Sequence, residues 1–204
     1  MTRAIDVFSQ WAKEGKSEKM ADGHAMAVDN MLNFSLGASE GPVSFVDAGC
    51  GNGWVVRKML SRSRCGFSVG IDASAGMIER AKLTDPDGTY INEDLLQWKP
   101  EKPVNLVHSM EVFYYFRDPN AVIRHITENW LVSGGRLIIG VDHYLENKAS
   151  LGWAEKYDID FMTTLSIDQW CTAFEKAGLI SVSHWLFAPR QNWTGTLIIT
   201  GQKG

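Results

Sequence analysis

Cysteine is scarce in this sequence. The 204 residues include three, Cys50, Cys65 and Cys171, which lie far apart and form no C-x-x-C pair. An odd number of scattered cysteines argues against a disulfide framework, and the pattern of ligand pairs typical of a structural zinc site is missing. We therefore expect reduced thiols that serve mainly in packing.

The sequence also lacks a strong charge and a long apolar run. The formal net charge is −4, which gives no general attraction to nucleic acid or to anionic lipid. No stretch reaches the ~18 to 20 apolar residues of a membrane span, and the first twenty residues contain no apolar core of a signal peptide. We expect a cytoplasmic protein with neither a nucleic acid nor a membrane as partner.

What is present is an alternation of strand and helix patterns. Apolar, β-branched runs at 43–48, 66–72, 89–94, 104–110 and 135–142 are separated by helical patterns at 53–63, 74–83 and 119–131. This alternation is typical of βαβ units. With a hydrophobic content of 45%, it predicts one α/β domain with a Rossmann-like, doubly wound and mainly parallel sheet.

The two ends of the chain add further elements. A helical pattern over 19–36 precedes the first strand, so we assign residues 1–38 to a helical cap or lid and 39–204 to the main domain. Ser166 and Gln169 form an S-x-x-Q capping box that predicts a late helix. The last two runs, 179–188 and 194–201, have too short a connection for a parallel crossover and predict an antiparallel hairpin. The sheet then has seven strands.

The stretch VDAGCGNG, residues 46–53, places three glycines on a strand-to-helix turn. A turn without side chains lets a ligand approach the main chain and the free amides of a helix start. The dinucleotide pattern G-x-G-x-x-G would need glycine where Trp54 stands, and no Gly-Lys-Ser/Thr follows for a P-loop. A ligand turn is predicted, and a nicotinamide dinucleotide is disfavoured as its ligand.

Together with later motifs, this turn resembles the class I S-adenosylmethionine-dependent methyltransferases, in particular the small-molecule, type 11/12-like branch. The resemblance covers about residues 40–202 and rests on an ordered set: VDAGCGNG, VGIDAS, NEDLLQW, HSMEVFYYFRDP and LVSGGRLIIG. It implies S-adenosyl-L-methionine as cofactor and S-adenosyl-L-homocysteine as product. The main domain, 39–204, is then the one that binds the cofactor.

The resemblance also implies roles for individual residues. Asp72 would accept hydrogen bonds from the ribose hydroxyls, Asp94 with the Leu95 amide would face the adenine, and Asp47 would hold the methionine ammonium. The other cofactor contacts are expected from Gly49, Cys50, Gly51, Ala73, Met77, Ser109 and Met110, with Met20 and His24 folding over the cofactor from the leading helix.

Methyl transfer from a sulfonium is an in-line displacement that needs a well-placed nucleophile and neither a metal nor a covalent intermediate. A base is needed only for a protonated acceptor. From the carboxyl ends of the fourth and fifth strands we predict His143 as the first choice for the base and Glu111 as the second, with Tyr115 walling the acceptor pocket. The acceptor is expected to be a small organic molecule.

Two other functions stay open at this point. The domain could bind S-adenosylmethionine or S-adenosylhomocysteine without turnover, as a sensor or scaffold, or it could be a nicotinamide oxidoreductase on the same architecture. The D-P-P-Y run expected for nucleobase and protein-glutamine substrates is absent. The sequence does not distinguish a monomer from a homodimer.

Overall fold

The computed structural model describes residues 1–37 and 41–204. Its α-helices in these ranges are α1 (Ala4–Lys13), α2 (Lys16–Gly37), α3 (Trp54–Leu60), α4 (Ala75–Thr84), α5 (Pro119–Asn129), α6 (Trp153–Lys156) and α7 (Ile167–Lys176). The strands are β1 (Val43–Ala48), β2 (Cys65–Asp72), β3 (Thr89–Asn92), β4 (Val104–Met110), β5 (Leu131–Val141), β6 (Leu179–Phe187) and β7 (Thr196–Lys203). Short 3-10 helices cover Phe113–Tyr115 and Lys148–Ser150.

The strands form one sheet in the order β3-β2-β1-β4-β5-β7-β6. The first five pair in parallel, and β7 runs antiparallel between β5 and β6. The predicted mainly parallel, Rossmann-like sheet with a C-terminal antiparallel hairpin is therefore confirmed. In such a sheet the carboxyl ends of the parallel strands lie along one edge, which is where ligands bind.

Helices cover both faces of the sheet because the parallel strands are apolar on both sides. On one face α5 and α7 bury Ile123, Trp130 and Trp170 against the sheet. On the other face α2 and α3 bury Met31 and Met59. The two cores hold the carboxyl edge of the sheet in place and leave its end open to a ligand.

Strand β5 differs from the prediction. It begins at Leu131, where the sequence pattern still indicated helix, and it passes through Gly134 and Gly135. The pairing with β4 shifts register there, from Val104 with Leu131 to Leu106 with Arg136. The extra residues form a bulge, and a bulge interrupts the alternation by which a strand is recognised in a sequence.

Helix α1 was not predicted. It packs on α4, where a Cβ atom added to Gly76 would lie 3.0 Å from the Ser9 carbonyl oxygen, so the missing side chain permits close approach. The Ser9 and Ser74 hydroxyls are 2.8 Å apart at the same contact.

The predicted boundary between residues 38 and 39 lies outside the described residues. Within the described ranges, no helix is long and apolar enough to cross a membrane.

The predicted capping box of α7 is present. The Ser166 hydroxyl accepts from the Gln169 amide at 3.2 Å, and the Gln169 side-chain oxygen accepts from the Ser166 amide at 2.8 Å. Ser166→Ala should lower the free energy of unfolding by about 1 kcal/mol because one helix-end amide loses its acceptor. Urea unfolding measures this loss, and Ser166→Asp, which keeps an acceptor, is the control. Equal stability of the alanine variant and the wild type would contradict the assignment.

Candidate functional site

A cavity of about 660 Å³ opens at the carboxyl ends of β1, β2 and β4 and is covered by α1 and α2. Its size is typical of small-molecule sites. The glycine turn lies on one side of it, and the residues that follow β4 lie on the other. The cavity thus connects the two parts of the chain that the sequence analysis singled out.

Backbone geometry explains the glycines of the turn. Gly49, Gly51 and Gly53 have φ angles of 79°, 52° and 77°, a region that glycine adopts without strain. A Cβ atom on Gly49 would lie 2.3 Å from a methyl group of Val112, and one on Gly53 would lie 2.4 Å from the Tyr90 ring. The turn is therefore bare because both its conformation and its neighbours demand it.

Asp72 is the last residue of β2, and its side chain binds the backbone of the glycine turn. Its carboxylate accepts from the Gly51 amide at 2.9 Å and from the Ser74 amide at 2.8 Å. Burial raises the pKa of Asp72 to about 6, although these two hydrogen bonds act in the opposite direction. Asp94 lies further along the same edge and is exposed, beside the buried Leu95. All three residues line the cavity.

Asp47 is held by a partner that the sequence analysis missed. His108 on β4 lies beside Asp47 on β1, with its Nδ1 atom 2.7 Å from the Asp47 carboxylate, and both side chains are buried. Because a carboxylate only accepts, Nδ1 carries the proton and donates it. His108 therefore fixes the direction of the Asp47 carboxylate, which lines the cavity. The signal was available: the two residues occupy matching positions on adjacent strands.

At the other side of the cavity, Glu111, Asp142 and His24 form what we call the acidic cluster. Glu111 accepts from the Tyr114 hydroxyl at 2.6 Å and from the Asp142 amide, and it has a φ of 62°. A non-glycine residue in this region is strained by ~1 to 3 kcal/mol, and such strain is concentrated at functional sites. Burial and the charge of Asp142 raise the pKa of Glu111 to about 8.

His24 reaches the acidic cluster from α2. Its Nδ1 atom faces the Met20 carbonyl oxygen at 2.9 Å, and its Nε2 atom faces the Asp142 carboxylate at 3.3 Å. Both partners only accept, so the geometry fits a doubly protonated ring. Burial lowers the pKa of His24, but the hydrogen bond to Asp142 and the charges of Glu111 and Asp142 outweigh this effect and raise it to about 9.

The acidic cluster is also the group of described residues whose ligand atoms could surround a metal ion, since these atoms lie within 4.8 Å of one another. However, His24 Nε2 and both Glu111 oxygens already take part in hydrogen bonds. This arrangement is that of a hydrogen-bonded cluster. The absence of a metal in the working protein stays a prediction.

The structure brings most of the predicted site residues together. The cavity is lined by Met20, His24, Asp47, Gly49, Cys50, Gly51, Asp72, Ala73, Met77, Asp94, Leu95, Met110, Glu111 and Tyr115. Trp153 also lines the cavity.

Two predicted residues lie elsewhere. His143 is buried behind the cavity wall, where its Nδ1 atom is 3.1 Å from the Ser150 carbonyl oxygen and its Nε2 atom 2.8 Å from the Thr164 hydroxyl. Since both ring nitrogens are engaged and the ring does not line the cavity, the structure does not support His143 as the base. The Ser109 hydroxyl donates to the Ala48 carbonyl oxygen inside the sheet and Ser109 does not line the cavity, so the structure does not support its assignment as a cofactor contact.

Helix α1 supplies further cavity residues that the sequence analysis missed, among them Arg3, Phe8 and Trp11. Ile5, Phe8 and Trp11 recur at a spacing of three, which was a usable helix signal in a short segment. Tyr157 and Phe161, after β5, also line the cavity and gave no such signal.

A family model described as "methyltransferase domain" matches residues 3–184. The match covers most of the chain, and the protein therefore belongs to the class I S-adenosylmethionine-dependent methyltransferases. The predicted family is confirmed, and the nicotinamide alternative is not supported.

Individual relatives agree with this assignment. A trans-aconitate 2-methyltransferase of Rhizobium etli is 26% identical over 134 residues, which are 66% of this chain and 49% of the relative. The chain spans about half the length of the first curated relatives it matches.

Solved structures of other methyltransferases have the same fold as this chain. A proposed methyltransferase of Haloferax volcanii, solved in complex with the methyltransferase activator Trm112, is 27% identical with a TM-score of 0.79 and 96% of each chain covered. Magnesium protoporphyrin IX methyltransferase of Synechocystis, solved with bound S-adenosylmethionine, has a TM-score of 0.67 at 16% identity, with 92% of this chain and 83% of the other covered. At this low sequence identity, the second match is evidence for a shared fold and not for a shared substrate.

The His24 ring gives a pH-dependent contribution to stability. Its pKa is raised from 6.5 to about 9, so its stabilising effect is complete below pH 6.5 and is lost as the pH rises toward about 9. The stability difference between the wild type and His24→Gln should therefore shrink by on the order of 2 kcal/mol between these pH values. Urea unfolding of both proteins at the two pH values measures the change. A difference that is independent of pH would contradict the charged pair with Asp142.

Proposed function

We propose that the protein binds S-adenosyl-L-methionine along this cavity and transfers its methyl group to a small organic acceptor, releasing S-adenosyl-L-homocysteine. The observation that carries the proposal is the continuity of the cavity. It extends from the glycine turn, Asp72 and Asp94 to Glu111 and His24 of the acidic cluster. Cofactor and acceptor can therefore lie in contact, which a methyl transfer requires.

The cofactor would be held mainly by groups that are already oriented. Asp72 would accept from the two ribose hydroxyls with oxygens whose direction the Gly51 and Ser74 amides fix. Asp94 and Leu95 would face the adenine, and Ala73 and Met77, which line the cavity, would pack beside it. At the other end, Asp47 would bind the methionine ammonium, with Gly49, Cys50 and Gly51 along the chain of the amino acid.

Transfer itself is a displacement in one step. The acceptor lone pair attacks the methyl carbon, the carbon–sulfur bond breaks, and its electron pair stays on sulfur, which becomes a neutral thioether. Placing the two reactants in line can lower the barrier by ~7 to 11 kcal/mol. Glu111, which lines the cavity, would take a proton from the acceptor, and Tyr115 and the helices α1 and α2 would exclude water.

Transfer of a labelled methyl group tests the proposal. The protein is incubated with S-adenosylmethionine labelled in the methyl group and, separately, with small-molecule, protein and nucleic acid fractions of a cell extract. We expect label in the small-molecule fraction together with S-adenosylhomocysteine. Binding of the cofactor without transfer to any fraction would favour the silent sensor, and label in a macromolecule would contradict a small acceptor.

The relative from Haloferax volcanii suggests a partner protein. Because that relative occurs in a complex with an activator and is matched over 96% of its length, we include an activator of this kind among the proposed partners. Size-exclusion chromatography of the chain, alone and mixed with Trm112, tests this partner. Co-elution would support it, whereas separate peaks and unchanged activity would exclude it.

A further inference from the structure

The chemistry of the cavity beyond the cofactor residues indicates which acceptor it accepts. We infer that the acceptor is an amine carried on a flat or apolar group, with its nitrogen against Glu111. This inference rests on the proposed function, because it assigns the acceptor class of the same site.

Two carboxyl groups lie beside the place where the methyl group would be transferred. Glu111 lines the cavity, and Asp142 lies directly behind it. The Oδ1 atom of Asp142 is buried and has no hydrogen-bond partner among the described residues. An ammonium ion beside these two carboxyl groups favours the ionised form of Glu111 and is attracted to it, whereas a carboxylate there would bring another negative charge to the same place. His24 pairs with the Asp142 carboxylate, so Glu111 remains available to bind the nitrogen of the acceptor.

A continuous set of aromatic rings, which we call the aromatic wall, runs along the cavity. It consists of Tyr114, Tyr115, Phe8, Trp11, Tyr157 and Trp153, each of which lines the cavity. Neighbouring ring centroids in this order are 4.5, 5.2, 5.4, 5.5 and 6.2 Å apart. Aromatic faces hold both flat apolar groups and organic cations, including methylated ammonium ions.

Two arginines of the same region, Arg3 and Arg117, line the cavity. Arg3 is bound to Asp6 at 2.8 and 3.0 Å, so its charge is already paired. Arg117 is exposed at the cavity mouth and stacks on Phe161 at 4.2 Å from the ring centroid. A polycarboxylate, such as the acceptor named for the curated relatives, would meet Arg117 at the rim, for which residues 1–37 and 41–204 show no ion pair, and carboxyl groups at the reacting end.

The proton balance of the reaction also fits an amine. A carboxylate acceptor arrives ionised and needs no base, whereas an amine arrives as an ammonium ion and must first lose a proton. Ionised Glu111 takes this proton, the nitrogen lone pair then attacks the methyl carbon, and the electron pair of the broken bond stays on sulfur. The methylated amine leaves as an ammonium ion, and Glu111 returns its proton to water. One proton is released per turnover.

The test uses matched pairs of amines and carboxylates of the same shape. Phenethylamine, tyramine and tryptamine are compared with 3-phenylpropionate, 3-(4-hydroxyphenyl)propionate and indole-3-propionate, and trans-aconitate is added. Binding to protein loaded with S-adenosylhomocysteine is measured by calorimetry, and methyl transfer is measured by the S-adenosylhomocysteine formed. EDTA is present throughout, so that a metal ion does not contribute. We expect the amine of each pair to bind at least about tenfold tighter and transfer to occur to amines alone.

Variants show whether the preference for amines depends on Glu111 or on the negative charge of the protein as a whole. Glu111→Gln should reduce the preference for amines to less than about threefold, and the same change at the exposed Glu155, which lies outside the cavity lining, should leave it intact. Tighter binding of the carboxylates with loss of that binding in Arg117→Met, or no binding of any amine, would overturn the amine assignment. Failure to bind S-adenosylhomocysteine at all would instead overturn the proposed function.

Discussion

Glu111→Gln is expected to lower the rate of methyl transfer by ~10²- to 10⁴-fold, the usual contribution of a positioned base. Glutamine keeps an oxygen to accept from the Asp142 amide, so the backbone at this position should hold its conformation. What is lost is the group that takes a proton from the acceptor. The affinity for S-adenosylhomocysteine should therefore change little, and the loss should appear in turnover.

The pH profile distinguishes a base from a residue that only supports the fold. A base acts in its ionised form, and the pKa of Glu111 is raised to about 8. Turnover of the wild type should therefore rise with pH up to about 8, and this rise should be missing in Glu111→Gln. Glu155→Gln is the matched control. Equal turnover of the Glu111 variant and the wild type would leave positioning as the whole mechanism.

Asp72→Ala is expected to weaken the binding of S-adenosylmethionine by ~10- to 150-fold, which corresponds to ~1.5 to 3 kcal/mol for hydrogen bonds to a charged group. The variant removes the acceptor of the ribose hydroxyls and also the carboxylate that orients the Gly51 amide. Because the pKa of Asp72 is about 6, wild-type affinity should also fall as the pH drops through this value.

Calorimetry measures both effects. The control is Asp87→Ala, which makes the same change at an exposed turn position after α4. The melting temperature of each variant shows whether the protein is folded. If Asp72→Ala is folded and binds the cofactor as the wild type does, the ribose assignment is wrong.

The features that the sequence predicted are those set by local patterns. The glycine turn, Asp72 and Asp94 each follow an apolar run, and the carboxyl ends of parallel strands necessarily meet at one edge. The position of these residues around one cavity followed from the alternation of strands and helices. The capping box of α7 was predicted for the same reason, since its two residues are three positions apart.

The acidic cluster depends on packing between distant parts of the chain. His24 and Asp142 are separated by 118 positions, and no pattern near His24 indicates that α2 crosses the end of β5. His143 is the neighbour of Asp142 in sequence, yet its side chain points to Ser150 and Thr164. Side chains alternate in direction along a strand, but Asp142 and His143 lie beyond the end of β5, where the backbone is irregular and the sequence does not show which of them faces the cavity. The left-handed backbone of Glu111 likewise has no sequence signal, since it is a non-glycine residue.

The central claim is that the glycine turn, Asp72 and Asp94 form a site for S-adenosylmethionine. Its most direct test is a calorimetric titration of the purified protein with S-adenosylmethionine and with S-adenosylhomocysteine, with NAD as the control ligand. We predict one site per chain with micromolar affinity for the first two, tenfold or more weaker binding in Asp72→Ala, and no binding of NAD. Binding of NAD, or no binding of either sulfur nucleoside by the folded protein, would contradict the account.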